Sequence, residues 1–230
     1  MSLLALSTTF LLAAGPAPDF YFEQTTVTLT GGRPSGPGVT SRVWYAGRKI
    51  RLEAGDAPGG PAFILRLDTG KAYRLDPARK TAVVLDAERL QTRSQMDLSA
   101  AGNAMGAEEE GSARTVALKT PRTVAGYACR GYRITAGATV MDLYVTSQLP
   151  LGIDRFADFL EWTGADQALG GLLTEIRKLP GFPLETRSRV TVGEEVHETR
   201  ATVTRILVGA QPLSLFDPPL DYHLEREDEP

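Results

Sequence analysis

The chain has 230 residues and a formal net charge of −3, with 42% apolar and 23% charged residues. That is an ordinary globular balance and enough chain for one sizeable core, which argues against disorder. The acidic total, and 7% aromatics that do not alternate with basic residues, give no general electrostatic or stacking case for nucleic acid or an anionic membrane surface.

The first residues, "MSLLALSTTFLLAAGPAPDF", hold an apolar run the length of a signal-peptide core, followed by small residues. A bilayer span needs about 20 apolar residues, so this run is too short, and the chain reads as not integral to a membrane. The basic residues that usually open a leader are missing: either the true start lies upstream, or the run is a strand or core segment. The leucines stop at a Pro-rich break before the first strand, and the reading adopted is a signal peptide over 1–18. No cysteine sits beside it to carry a bacterial lipid anchor. The mature protein, 19–230, is then a single extracytoplasmic domain, periplasmic or secreted. With one cysteine it cannot form an internal disulfide, so packing must stabilise it.

Beyond the leader, most of the chain reads as short strands. "FYFEQTTVTLT" (20–30) is rich in β-branched and aromatic residues, and "GGRPSGPG" breaks it. "SRVWYAGRKIRLEA" (41–54) predicts a hairpin turning at Ala46-Gly47, with Lys49, Arg51 and Glu53 alternating against Ile50 and Leu52 as in a half-solvated antiparallel strand. Residues 62–86 predict three more strands, with turns at Asp68-Thr69-Gly70 and Asp76-Pro77. A short helix is expected over 87–96. The small, acidic, Gly-rich stretch 97–114 reads as a mobile loop within the domain, because similar strand signals resume at 115–119, 123–135 and 138–147. The segment 153–179 carries the strong helical pattern: Phe156, Phe159 and Leu160 share a face, as do Leu169, Leu172, Leu173 and Ile176. Gly164 and Gly170-Gly171 divide or kink it. Two long strands are expected at 185–194 and 196–208. The order implies an α+β fold: a single curved antiparallel sheet with helices covering one face.

Catalytic constellations are sparse. His197, in "GEEVHETR", reads as part of a solvated hairpin, and His223 lies in the tail. No metal-ligand spacing, phosphate loop, nucleophile elbow or dinucleotide fingerprint is present, so neither a metal nor a cofactor is expected. The acidic neighbours Glu194-Glu195 and 108–110 would point to opposite faces of a strand and form no acid/base pair by spacing alone. A nucleophilic Cys129 would need a base, and only the two histidines could serve. The simpler reading is a buried apolar residue in a strand, with an intermolecular disulfide as a further alternative. The chain therefore reads as not an enzyme.

Five segments in order, "GRKIRLE", "ILRLDTGKAYRLDPARKTAVVLD", "RTVAGYACRGYRI", "GFPLETR" and "FDPPLDY", resemble extracytoplasmic proteins of the domain of unknown function 4412 family. The likeness spans roughly residues 40 to 222. The weak leader and the insertion at 97–114 depart from it. That family is similar to the lipoprotein carriers LolA and LolB. The resemblance implies a half-open β-barrel with helices over its concave face, an apolar cavity, and no catalytic residues to carry over.

Two readings of function are open. In the first, an apolar cavity binds a lipid, an acyl chain or another hydrophobic ligand. Trp44 or its neighbours, Ile50, Leu52, Phe63, Leu65 and Val145 line it, and Phe156, Phe159 and Trp162 form a helical lid over 153–179. In the second, the same residues fill an ordinary core, and the protein docks an envelope partner through a sheet edge or the acidic loop.

Overall fold

The computed structural model describes residues 18–55, 59–86, 113–162, 171–192 and 195–226. Their strands are β1 (Phe20–Thr30), β2 (Arg33–Pro34), β3 (Val39–Ala46), β4 (Lys49–Ala54), β5 (Ala62–Arg66), β6 (Lys71–Asp76) and β7 (Thr81–Asp86). They continue with β8 (Arg114–Ala117), β9 (Arg122–Val124), β10 (Tyr127–Ala136), β11 (Thr139–Thr146), β12 (Phe182–Val192), β13 (Glu195–Val208) and β14 (His223–Arg226). Two helices, α1 (Ile153–Trp162) and α2 (Gly171–Ile176), and a 3-10 turn at Leu213–Phe216 complete the described elements.

All fourteen strands join one sheet, in the order β14-β7-β6-β5-β4-β3-β1-β13-β12-β11-β10-β8, with β2 beside β1 and β9 beside β10. The sheet is curved, and its ends β14 and β8 stay apart, so it is an open sheet and not a closed barrel. Every pair is antiparallel except β14 with β7, which corrects the all-antiparallel expectation. The chain reaches β14 through the long 209–222 segment and not through a tight turn, so a parallel approach is open to it.

Most local expectations agree with the strands found. The β3–β4 turn falls on Gly47 and Arg48, one residue later than expected, because Ala46 still pairs with Lys49. Gly47 takes a positive φ of 57° there, a conformation that suits glycine. Between β9 and β10 the two-residue turn Ala125-Gly126 has both φ values positive, the hairpin geometry that matches strand twist. Arg114 begins β8, at the end of the expected 97–114 loop. Residues 97–112 of that loop, the expected helix at 87–96 and residues 1–17 of the expected 1–18 leader lie outside the described residues. The 153–179 helical pattern resolves into α1 and α2, with 163–170 between them also outside.

Directly paired residues share a face, so the register assigns each side chain to one of two faces. Phe20, Phe22, Val43, Tyr45, Ile50, Leu52, Phe63 and Leu65 lie on the first face. Farther along, Thr26 pairs with Ala201, Ala201 with Thr186 and Thr186 with Leu143, which carries the same face to β11. There Ile134, Met141, Leu143 and Val145 pack with Ile153, Leu172, Ile176 and Leu179, so both helices seat on the β10–β12 end.

The second face carries Tyr21, Trp44, Arg51, Ile64 and Tyr73 in one row. The sequence pattern predicts Arg51 and Glu53 facing water. Instead the 211–222 segment covers them: Phe216 is fully buried against Ala46, Ala62, Ile64, Leu75 and Ala82, and the Arg51 Nη1 donates to the Leu215 carbonyl at 3.0 Å. Arg51 also pairs with Glu53 at 2.7 Å, and Glu53 is 5% exposed. Arg66 with Asp217, and Lys80 with Asp221 at 2.8 Å, fasten the outside of this strap.

Candidate functional site

Exposure across the first face changes row by row. One row, Phe20, Tyr45, Ile50, Leu65, Ala72 and Leu85, is buried along its whole length. The next row runs Phe22, Val43, Leu52, Phe63, Arg74 and Val83. In it Phe22, Leu52, Phe63 and Val83 are half-buried, all packed against the closed row beside them. Beyond lie Gln24, Ser41 and Ala54, small or polar. The half-buried row is therefore an apolar strip between a sealed core and a polar margin, with the exposed Arg74 in register between Phe63 and Val83.

An aromatic wall borders the strip at β1. Phe20 stacks on Tyr45 at 4.6 Å between centroids, and Phe182 meets Phe20 and Phe22 edge-on at 5.4 and 6.2 Å. Such tilted and offset contacts add to the area that rings bury. On the helical side, α1 brings Phe156 against both the first-face core and the helix-covered cluster. Arg155 Nη1 donates to the Gly47 carbonyl at 3.4 Å, so α1 reaches from β12 toward the β3–β4 turn.

Of the residues expected to line a cavity, Ile50, Leu52, Phe63 and Leu65 share the first face and one cluster. Ile50 and Leu65 lie in the sealed row, while Leu52 and Phe63 lie in the half-buried one. Val145 belongs to the neighbouring helix-covered cluster. Trp44 is on the second face beneath the strap, and its neighbours Val43 and Tyr45 are the inward pair, because side chains alternate strictly along β3. Phe156 packs against the buried cores of both clusters. The side chains of Phe159 and Trp162 lie outside the described residues. Sequence reasoning missed Phe22 and Val83. Their alternation was visible, but only the pairing of β1 with β3 and of β7 with β6 places them beside Leu52 and Phe63.

Cys129 is 2% exposed, and its thiol donates to the Tyr127 carbonyl at 3.5 Å. Burial pushes the thiol pKa up and the Glu185 carboxylate adds to that, against a smaller lowering by the Val124 backbone. His197 is exposed near the β12–β13 turn, 3.7 Å from Glu195, and His223 is exposed on β14 at the far edge of the sheet. A sealed thiol with a raised pKa lacks the thiolate that nucleophilic chemistry requires. Among the described residues no group of three His, Cys, Asp or Glu is placed to hold a metal, and no helix is long and apolar enough to cross a membrane.

A family model described as "Domain of unknown function (DUF4412)" matches residues 66–222. The chain belongs to this family. The matched span runs from the end of β5 to the strap, and β1, β3 and β4, which precede it, pair into the same sheet. No curated protein matches the chain. Among solved structures it is similar to an uncharacterized conserved protein from Thermus thermophilus, at 10% identity and TM-score 0.47, covering 92% of this chain and 91% of that one. A LolA superfamily protein from Nitrosomonas europaea aligns at 9% identity and TM-score 0.34, over 88% of this chain and 91% of that one. A DUF1329 family protein from Desulfovibrio piger aligns at 10% identity and TM-score 0.33, over 89% and 91%.

Proposed function

We propose that this DUF4412 protein is an extracytoplasmic, non-enzymatic protein that binds a hydrophobic ligand, a lipid or acyl chain, on the half-buried strip of its first face. The observation that carries the reading is the row Phe22, Leu52, Phe63 and Val83, apolar and only half covered beside a sealed core. An apolar surface flanked by few polar groups is the usual form of a lipid site. Phe156 supplies a helical wall, and Arg74 offers one cation at the border for a ligand's polar end. Ile50 and Leu65 form the floor. The leader expected over 1–18 puts the protein in the periplasm or outside the cell.

The test is native mass spectrometry of the purified protein before and after organic extraction, with uptake of a fluorescent fatty acid by the wild type and by Leu52→Asn/Phe63→Asn. An extractable lipid-range mass, and uptake lost in a double variant that still folds, support the proposal. A clean protein mass with no uptake, or uptake unchanged in the variant, refutes it. The first of those outcomes moves the protein to the second reading, an envelope interaction protein with a filled core.

A further inference from the structure

The second face has another charged region, at the end away from the strap. Two adjacent rows cross β8, β10, β11, β12, β13 and β1: Val116, Arg133, Asp142, Arg187, Arg200, Val27, and Arg114, Thr135, Val140, Arg189, Glu198, Leu29. They hold five guanidiniums against two carboxylates, an excess of three positive charges in a chain whose formal total is −3. Asp142 accepts from Arg133 Nε and Nη2 at 2.6 and 2.8 Å and from Arg189 Nη2 at 3.1 Å. Glu198 accepts from Arg187 Nη2 at 2.6 Å and Arg200 Nη2 at 3.2 Å. Asp142 is 4% exposed and Glu198 8%, so the acids lie under the arginines. The guanidiniums remain open, with side chains between 27% and 42% exposed, and Arg114 is exposed on the edge strand. The Nε atoms of Arg187, Arg189 and Arg200 are covered and lack acceptors among the described residues. Two buried acids therefore under-compensate four closely set cations.

We propose that this arginine face docks an extended acidic segment of a partner protein. Arginine forks suit carboxylates, and the face already shows the arrangement, one carboxylate shared by two guanidiniums. Arg187 and Arg189 are two residues apart on β12, about 6.6 Å along the strand, which is the spacing of alternate side chains in an extended peptide. The five strands from β8 to β13 in sheet order span about 19 Å. A single small oxyanion would meet only a part of that width, and an extended acidic chain can meet most of it. The proposal is independent of ligand binding on the first face.

Fluorescence anisotropy with a labelled peptide of alternating Glu and Thr, against its Gln-Thr counterpart, tests it on the full chain. The acidic peptide binds at low salt, weakens as salt rises, and the Gln-Thr peptide does not bind. Arg114→Gln, which leaves both shared carboxylates untouched, reduces affinity roughly two- to five-fold. Arg187→Gln/Arg189→Gln leaves Asp142 with Arg133 and Glu198 with Arg200, so it folds, checked by thermal melting, and loses most of the binding. Equal binding of both peptides overturns the proposal, as does unchanged affinity in the folded double variant. Binding to vesicles of equal parts phosphatidylglycerol and phosphatidylcholine with none to the peptide also overturns it, in favour of a membrane surface.

Discussion

Replacing Phe216 by alanine tests how the strap closes the second face. The ring is 0% exposed and sits among Ala46, Ala62, Ile64, Leu75 and Ala82, four of them on the adjacent strands β5, β6 and β7. Three of those five neighbours are alanines, too small to collapse into the space left behind. The loss should therefore lie in the range for a buried aromatic, about 3–5 kcal/mol. For a chain of this length that lowers the melting temperature by about 6–20 °C. Beside that ring the strap keeps the Arg51–Leu215 hydrogen bond, the packing of Leu215 and Tyr222, and two ion pairs at its outer side, Arg66 with Asp217 and Lys80 with Asp221, in which screening and side-chain entropy leave little net gain. Phe216 is the one fully buried side chain of the strap, so without its ring 211–222 should open before the sheet melts. Urea unfolding followed by circular dichroism reads the global loss, and amide hydrogen exchange reads the strap. Phe216→Leu, which keeps most of the volume, should recover the greater part of both. A loss under about 1 kcal/mol with strap amides still protected would refute the reasoning.

Two further outcomes follow from named groups. Burial works to raise the Asp142 pKa, but the Arg133 hydrogen bonds and the charges of Arg133, Arg189 and Arg187 outweigh it and hold the carboxyl below its usual range. The Arg187 hydrogen bond holds Glu198 low in the same way, against burial. Groups depressed in the folded state contribute stability that is complete above their unfolded values of 3.8 and 4.5 and is lost as pH falls through the lower folded values. Stability should then drop below about pH 4.5, and the drop should shrink in Asp142→Asn/Glu198→Gln, measured by urea midpoints across pH. Cys129 should resist a thiol reagent in the native protein and react at the rate of unfolding in denaturant. Rapid labelling of the native protein would show that the thiol is open.

The strands were legible because their signals are local. Alternation along β4 and β11, turn residues at Asp68-Thr69-Gly70 and Asp76-Pro77, and the apolar spacing of Leu172, Leu173 and Ile176 need no distant partner to be read. Tertiary structure decided which face each alternation buries. Arg51 and Glu53 look like a solvated stripe until Phe216, more than 160 residues later, is laid across them, a contact no local pattern encodes. Trp44 went to the opposite face from Ile50 because a strand's period of two fixes only relative sides, and the absolute side is set by what packs against the sheet. The arginine face has the same origin. "TRSRV" and "ETRAT" show their arginines at once, but only the β12–β13 register stacks Arg187 on Arg200 and Arg189 on Glu198, because side chains from distant strands meet only after the backbone hydrogen bonds choose their pairing.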